Sequence, residues 1–412
     1  MARFQEVSRA ALIRLAARKR AVVTDALSPE ELGERLRLAR EAARVTQAAA
    51  AEALQIARTT VVAIEQGQRR PRLDELQRFA SVYNVSVNAL LRREAVQIDL
   101  KPRFRRTGEP DAAVEEAVEL LTTLVQAELE LEALLGVRRV RNDPPERPLS
   151  PGNVVLQAEQ DAGELRQWLG IGSGPVQDIV SVLEFQLGAR IFTRRLPAKI
   201  SGLYAFDEVA GACILLNASH PKDRRAQTAA HELGHFVSTR KHPDALYAGS
   251  PETSREERYA IAFAKALLTP ARAVMTQFNS VTVGATQLTR RHVIVMAHLF
   301  GVSREAMVRR LEEIGLTKPG TWDWFVNNGG ITDQQARQVL GEAIAPDEGR
   351  ADAARPVSMR VGLLVGEAWA KSLLSEGQIA QLLQLDRVDV RALIDAYEDE
   401  EVGRDDSPRL LV

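Results

Sequence analysis

The run Ala-Ala-His-Glu-Leu-Gly-His-Phe over residues 229–236 holds two histidines one helical turn apart with a glutamate between them, a pattern suited to metal-assisted hydrolysis. On a helix, positions i and i+4 share a face, so His231 and His235 can reach one ion while Glu232 turns toward a water bound to it. Zinc suits this ligand set, with the two imidazoles as ligands and Glu232 as the base that takes a proton from that water. Catalytic zinc keeps three protein ligands and leaves the fourth position open, so a third side chain must come from elsewhere. Residues 257–270 read as a helix with small residues on one face, ended by Pro270. Its first carboxylate, Glu257, follows His235 by 22 positions, enough for an antiparallel return, and Glu252 and Glu256 lie close enough to serve instead.

The elements that must position these residues follow from periodicity. Helices near 155–169 and 175–187 precede β-like runs at 189–196, 199–206 and 211–217, and then comes the metal helix. Residues 154–318 are therefore expected to be an α+β domain with a small antiparallel sheet. Residues 31–95 read as short helices, 110–138 as one long amphipathic helix, and the Pro-rich stretch 142–153 as a linker. Beyond Lys318-Pro319-Gly320 the pattern is helical again, ending in an acidic tail, Glu398 to Glu401 with Asp405 and Asp406, expected to be solvated. The chain is thus expected to be mainly α and multidomain. Its parts are a helical extension (1–30), an all-α domain (31–95), a helical connector with linker (96–153), the α+β domain (154–318) and a helical C-terminal region (319–412).

Composition sets bounds on partners and compartment. At 412 residues the chain exceeds what one core usually serves, and 45% apolar with 26% charged residues is ordinary for a globular protein. No run of about 18 apolar residues exists to span a bilayer. The N-terminus, with Arg3, Arg9 and Arg14 among apolar residues, does not read as a signal peptide, so cytoplasmic residence without a membrane partner is expected. The single cysteine, Cys213, rules out an internal disulfide or a thiolate-rich zinc cluster, and its apolar surroundings point to core packing.

Within 31–95, Thr46-Gln47 opens a helix of small residues, Gln55-Ile56-Ala57 makes a tight connection, and a second helix runs from Arg58 to Glu65 before Gly67. Ile56, Val61, Ile64, Leu76, Phe79 and Val85 supply the expected core of a helix-turn-helix module whose second helix enters the major groove. Through TQxxxAxxLxIxRTTVxxIExGxRxP and the later FASVYNVSVNALL, some 60 residues, the segment resembles the phage-repressor-like (XRE-type) DNA-binding family. The resemblance implies that Gln47, Arg58, Thr59 and Thr60 approach operator DNA, with Arg69 and Arg70 near phosphates. Eleven arginines against eight acidic residues over 31–95 give a net of +3, modest for phosphate-driven affinity, and a homodimer would double that basic face. The family commonly has Gly where this chain has Gln55, and a polar or basic residue at Ala57 and Ala63, so base-reading chemistry is thinner here.

The metal region resembles the ImmA/IrrE family of zinc metallopeptidases, through AHExGH followed by ExxAxxFAxxLLxP. Further agreement lies in Leu169-Gly170-Ile171 with Pro175, Ile200-Ser201-Gly202, Ile214 to Asn217 and Phe300-Gly301-Val302-Ser303 leading to Arg310-Leu311, so it spans most of 154–318. The resemblance implies a zincin-like domain and peptide-bond hydrolysis with zinc as cofactor and Glu257 as third ligand. The oxyanion needs a donor beyond zinc, and Tyr204, His242 and Tyr259 are all candidates. Asn217 is read either as a contact to substrate backbone or as a turn former. His220, His242, His292 and His298 lack partners at ligand spacing and are read as structural or surface residues. In the C-terminal region, 331–340 and 374–383 look like small helix-turn-helix pieces that could hold a partner or pack on the metal domain, and Trp322, Trp324 and Phe325 are expected core anchors.

Together the two resemblances imply a DNA-binding regulator that cleaves a repressor-like protein in a stress or mobile-element response. The reading from a different class is an autoregulator or antitoxin component that acts by protein contact, with the metal domain as sensor or scaffold.

Overall fold

A computed structural model describes residues 28–85, 87–91, 98–100, 112–247, 254–341 and 357–397; the extension over 1–27 and the acidic tail lie outside it. The chain falls into two compact units, one containing the N-terminal helices through Val96 and the other most of the rest.

The first unit holds α1 (Pro29–Ala42), α2 (Gln47–Leu54), α3 (Arg58–Glu65), α4 (Leu73–Val82) and α5 (Val87–Leu91). Ser28 and Glu31 close a capping box on α1, and Thr46 caps α2. Leu36, Leu54, Val61, Ile64, Leu76 and Phe79 form the buried core, with Ile56 and Val85 partly buried against it. A Cβ on Gly33 would stand 2.5 Å from the Ile64 carbonyl oxygen, so only glycine lets α1 cross α3 this closely. Between α2 and α3, Gln55 adopts the left-handed conformation (φ 56°, ψ 42°), which accounts for the glycine common there in similar sequences.

The second unit opens with α6 (Ala112–Leu134) and α7 (Val154–Trp168), then a short α8 (Ile179–Ser181) continued as a π-helical turn over Val182–Gln186. Strands β1 (Arg190–Arg194), β2 (Ile200–Asp207) and β3 (Gly211–Asn217) come next, followed by α9 (Lys222–Ser238), β4 (Asp244–Tyr247) and α10 (Arg255–Leu268). The sheet order is β1-β3-β2-β4. It is mixed rather than wholly antiparallel. Asp207 accepts from the Val209 and Ala210 amides and turns β2 back into β3, which then runs parallel to β1, while β2 pairs antiparallel with both β3 and β4. Ile214, Leu216, Leu233, Phe236 and Phe263 share one core between sheet, α9 and α10. Cys213 is fully buried, and burial pushes its thiol up to about 12, so it packs and does not react.

Helices α11 (Ala271–Val281), α12 (Arg290–Phe300), α13 (Arg304–Glu313), α14 (Thr321–Asn327) and α15 (Asp333–Leu340) follow, and α16 (Met359–Ala370), α17 (Glu376–Leu383) and α18 (Arg387–Tyr397) end the described chain.

Four sequence expectations differ from the structure. The stretch 142–153 is not a free linker: the Asn142 amide donates to Leu187 O (3.0 Å) and the Arg147 amide to Val237 O (2.8 Å), so the domain satisfies its backbone. The helix read as connector, α6, packs on β1, β2 and β3, and residues 97–153 fall within the second unit. The break at 318 also fails, because Val293, Ile294 and Val308 share a core with Phe325, Ile331 and Ala336. Of the three expected anchors only Phe325 is buried; Trp322 is half-buried and Trp324 is 54% exposed, stacked edge-on against Phe325.

Candidate metal centre

Helix α9 is buried over its last three turns, which removes His231, Glu232 and His235 from solvent. Helix α10 begins at Ser254, whose hydroxyl accepts from the Glu257 amide (3.0 Å). Ser254 and Glu257 have the spacing of a capping box, yet the Glu257 carboxylate does not fold back to the cap; it reaches the histidines. Gly234 makes this possible: a Cβ there would stand 3.0 Å from Ala260 Cα, so α9 and α10 touch backbone to backbone. One turn before that contact, Glu257 lies 3.4 Å from His231 Nε2 and 3.3 Å from His235 Nε2, and the two Nε2 atoms are 3.1 Å apart.

A tetrahedral zinc with bonds of about 2.0–2.2 Å sets its ligand atoms about 3.3–3.5 Å apart. The two separations from Glu257 fall in this range and the 3.1 Å between the imidazole nitrogens lies just below it, so the residues present fit the ion. His235 Nδ1 meets the Thr239 hydroxyl at 3.2 Å, an outer contact that holds the ring. Burial alone would push the Glu257 carboxyl up, but the two imidazoles facing it hold it well below the usual carboxylate range. Glu256 is exposed and Glu252 lies outside the described residues, so Glu257 is the acid brought to the pair.

Glu232 is fully buried, and its carboxylate lies against β2 of the sheet. A Cβ on Gly202 of β2 would stand 3.1 Å from Glu232 Oε1 and 2.6 Å from Thr228 Cγ2. The absent side chain at 202 is therefore the space that the carboxylate occupies.

The other sequence candidates have partners within the fold or lie at the surface. The Tyr204 hydroxyl donates to Arg240 O (2.8 Å) and the Tyr259 hydroxyl to Asp161 (2.9 Å), both buried and committed. Burial also pushes both phenols above their ordinary value. His242 and His298 are exposed, and His292 Nδ1 accepts from the Thr289 amide (3.2 Å). Buried His220 lends its carbonyl to Arg225 (2.8 Å). Asn217 is fully buried and clamps a turn: its Oδ1 accepts from Leu196 and Ser219 amides, and its Nδ2 donates to Ile200 O at 2.7 Å.

The sequence reading missed a buried charge cluster beneath the sheet. Arg190 of β1 grips Glu132 of α6 with both nitrogens (2.8 and 3.1 Å), Arg360 of α16 reaches the same carboxylate (3.1 Å), and Glu128 pairs with Arg190 (3.1 Å) and Arg139. An arginine opening a hydrophobic strand was the available signal.

In the first unit, Arg58 and Thr59 are exposed at the start of α3 and Thr60 is half-buried. Gln47 donates to Glu65 (2.9 Å), itself bound to the buried Arg40, so its side chain serves the fold. Arg69 pairs with Glu75 (2.8 Å), whereas Arg70 is exposed.

Sequence comparison agrees with this geometry. Residues 185–312 match a peptidase-family model described as an IrrE N-terminal-like domain, and residues 31–93 match one described as a helix-turn-helix domain. The chain thus joins a helix-turn-helix domain to an IrrE-like, metallopeptidase-type domain. No curated protein matches it. No helix among the described residues is long and apolar enough to cross a membrane.

Proposed function

We propose that the chain is a DNA-binding regulator whose second unit is a zinc-dependent endopeptidase, acting in the cytoplasm on a repressor-like regulatory protein in a stress or mobile-element response. The observation that carries the reading is the His231, His235 and Glu257 triangle at zinc-ligand separations with Glu232 buried beside it. Zinc held there supplies a Lewis acid and brings the pKa of a water toward neutrality. With zinc bound, Glu232 would be the group that takes up a proton and returns it to the leaving amine, and Gly202 leaves its carboxylate the room to do so. In the first unit, Arg58, Thr59, Thr60 and Arg70 face operator DNA, while Gln47 and Arg69 position the helices that present them. A homodimer on DNA would double the modest basic face.

The test is Glu232→Gln. It keeps the shape and the three ligands, so zinc content and DNA binding stay as in the unsubstituted chain while cleavage of co-expressed regulators is lost. Regulation that persists unchanged in the variant, with no cleaved protein in either strain, would instead favour action by contact alone.

A further inference from the structure

An endopeptidase must lay an extended peptide within reach of its base, and the simplest support is main-chain pairing with an open sheet edge. Here the strand beside the base is β2, through Gly202, and its outer edge is already taken by the chain's own β4. Building on the peptidase reading, we propose that β4 is a displaceable pseudosubstrate: it holds the place on β2 that an extended substrate strand must take.

The register places it there. Leu246 pairs with Gly202, Ala245 with Leu203 and Asp244 with Tyr204, antiparallel. Cross-strand partners share a face, so Leu246 lies on the Glu232 side of the sheet and marks the substrate side chain read next to the base. Helix α9 packs directly on β4.

The attachment is weak by comparison with the rest of the sheet. Strand β4 has four residues against eight and seven in β2 and β3, Ala245 and Leu246 are half-buried, and the pairing is irregular between Ile200 and Gly202. Short, half-exposed edge pairings open at the low end of the stability range. Its upstream end is pinned: Arg240 O accepts the Tyr204 hydroxyl, and the Arg240 guanidinium lies 4.9 Å from the centre of the Phe236 ring. The strand can therefore peel from β2 and remain tethered at Arg240.

The test uses a fluorescent peptide with the sequence of residues 241–247, followed by anisotropy. It is titrated against the full chain and against a full-chain variant carrying Asp244→Gly, Ala245→Ser, Leu246→Gly and Tyr247→Ser. The proposal expects the variant to bind at least tenfold more tightly than the unsubstituted chain, and a Leu246→Asp peptide to lose that gain. Equal affinities overturn it. Tight binding by the variant without zinc-dependent cleavage leaves the strand proposal standing and the peptidase reading in error; cleavage without a difference in affinity does the reverse. Should the variant lose its fold, amide exchange in the unsubstituted chain decides: amides of 245–247 at least a hundredfold faster than those of β3 support displacement, and comparable protection overturns it.

Discussion

Replacing Gly202 with alanine tests the packing that places the base. The added Cβ would stand 2.6 Å from Thr228 Cγ2, 3.1 Å from Glu232 Oε1 and 3.2 Å from the Leu215 carbonyl oxygen. Carbon atoms in contact sit about 3.5–4.0 Å apart, so the Thr228 methyl must retreat by about 1 Å. The Leu215 oxygen is backbone and cannot rotate aside, which leaves α9 and the Glu232 carboxylate to move. Overpacking of this size costs about 1–3 kcal/mol, and misplacing a reacting group by about 1 Å costs about 100-fold in rate. His231, His235 and Glu257 are not among the atoms nearest the new methyl, so zinc stays at the level of the unsubstituted chain. Zinc content, urea unfolding and cleavage of a proteome-derived peptide mixture, read by mass spectrometry, separate the three effects. Adding Thr228→Ser, which deletes Cγ2, should recover about 1 kcal/mol of stability but not the rate. A Gly202→Ala protein that is destabilised yet cleaves at the unsubstituted rate would refute the argument that this glycine makes room for the base.

Other perturbations have defined outcomes. Glu132→Gln leaves Arg190 and Arg360 facing a neutral amide in a buried cluster, and should cost about 3–5 kcal/mol at neutral pH in chemical denaturation. Burial alone would raise the Glu132 pKa, but the Arg190 and Arg360 contacts hold it below the ordinary glutamate value. An acid with a depressed folded pKa contributes stability above its unfolded value and loses it as pH falls, so the gap between variant and unsubstituted chain should narrow below about pH 4.5. Gln55→Gly removes a side chain from the left-handed region (φ 56°) and should stabilise the first unit by about 1 kcal/mol, read as roughly fivefold slower amide exchange in α2 and α3.

The candidate metal site was legible in large part because its signals are local. His231, Glu232 and His235 need only one helix, and the β-like runs that became β1, β2 and β3 lie within a few residues of their expected limits. The helix-turn-helix core was legible for the same reason, down to Val61, Ile64 and Phe79. What escaped depends on partners distant in sequence. Strand β4 is four residues long and exists only because β2 offers an edge. The parallel pairing of β1 depends on which strand the β2–β3 turn returns, and the prolines of 142–153 suggested a tether where the backbone is held by residues 187 and 237. The hydroxyls of Tyr204 and Tyr259 bond to Arg240 and Asp161, 36 and 98 positions away in the chain, which local sequence does not show.

The most direct test of the central claim is the zinc content of the purified chain under mild chelation, beside His235→Ala and Glu257→Ala. The account predicts about one zinc per chain, lost or strongly weakened in both variants while the helix-turn-helix unit still binds DNA. Absence of zinc from the unsubstituted chain after reconstitution, or its full retention in Glu257→Ala, would contradict it.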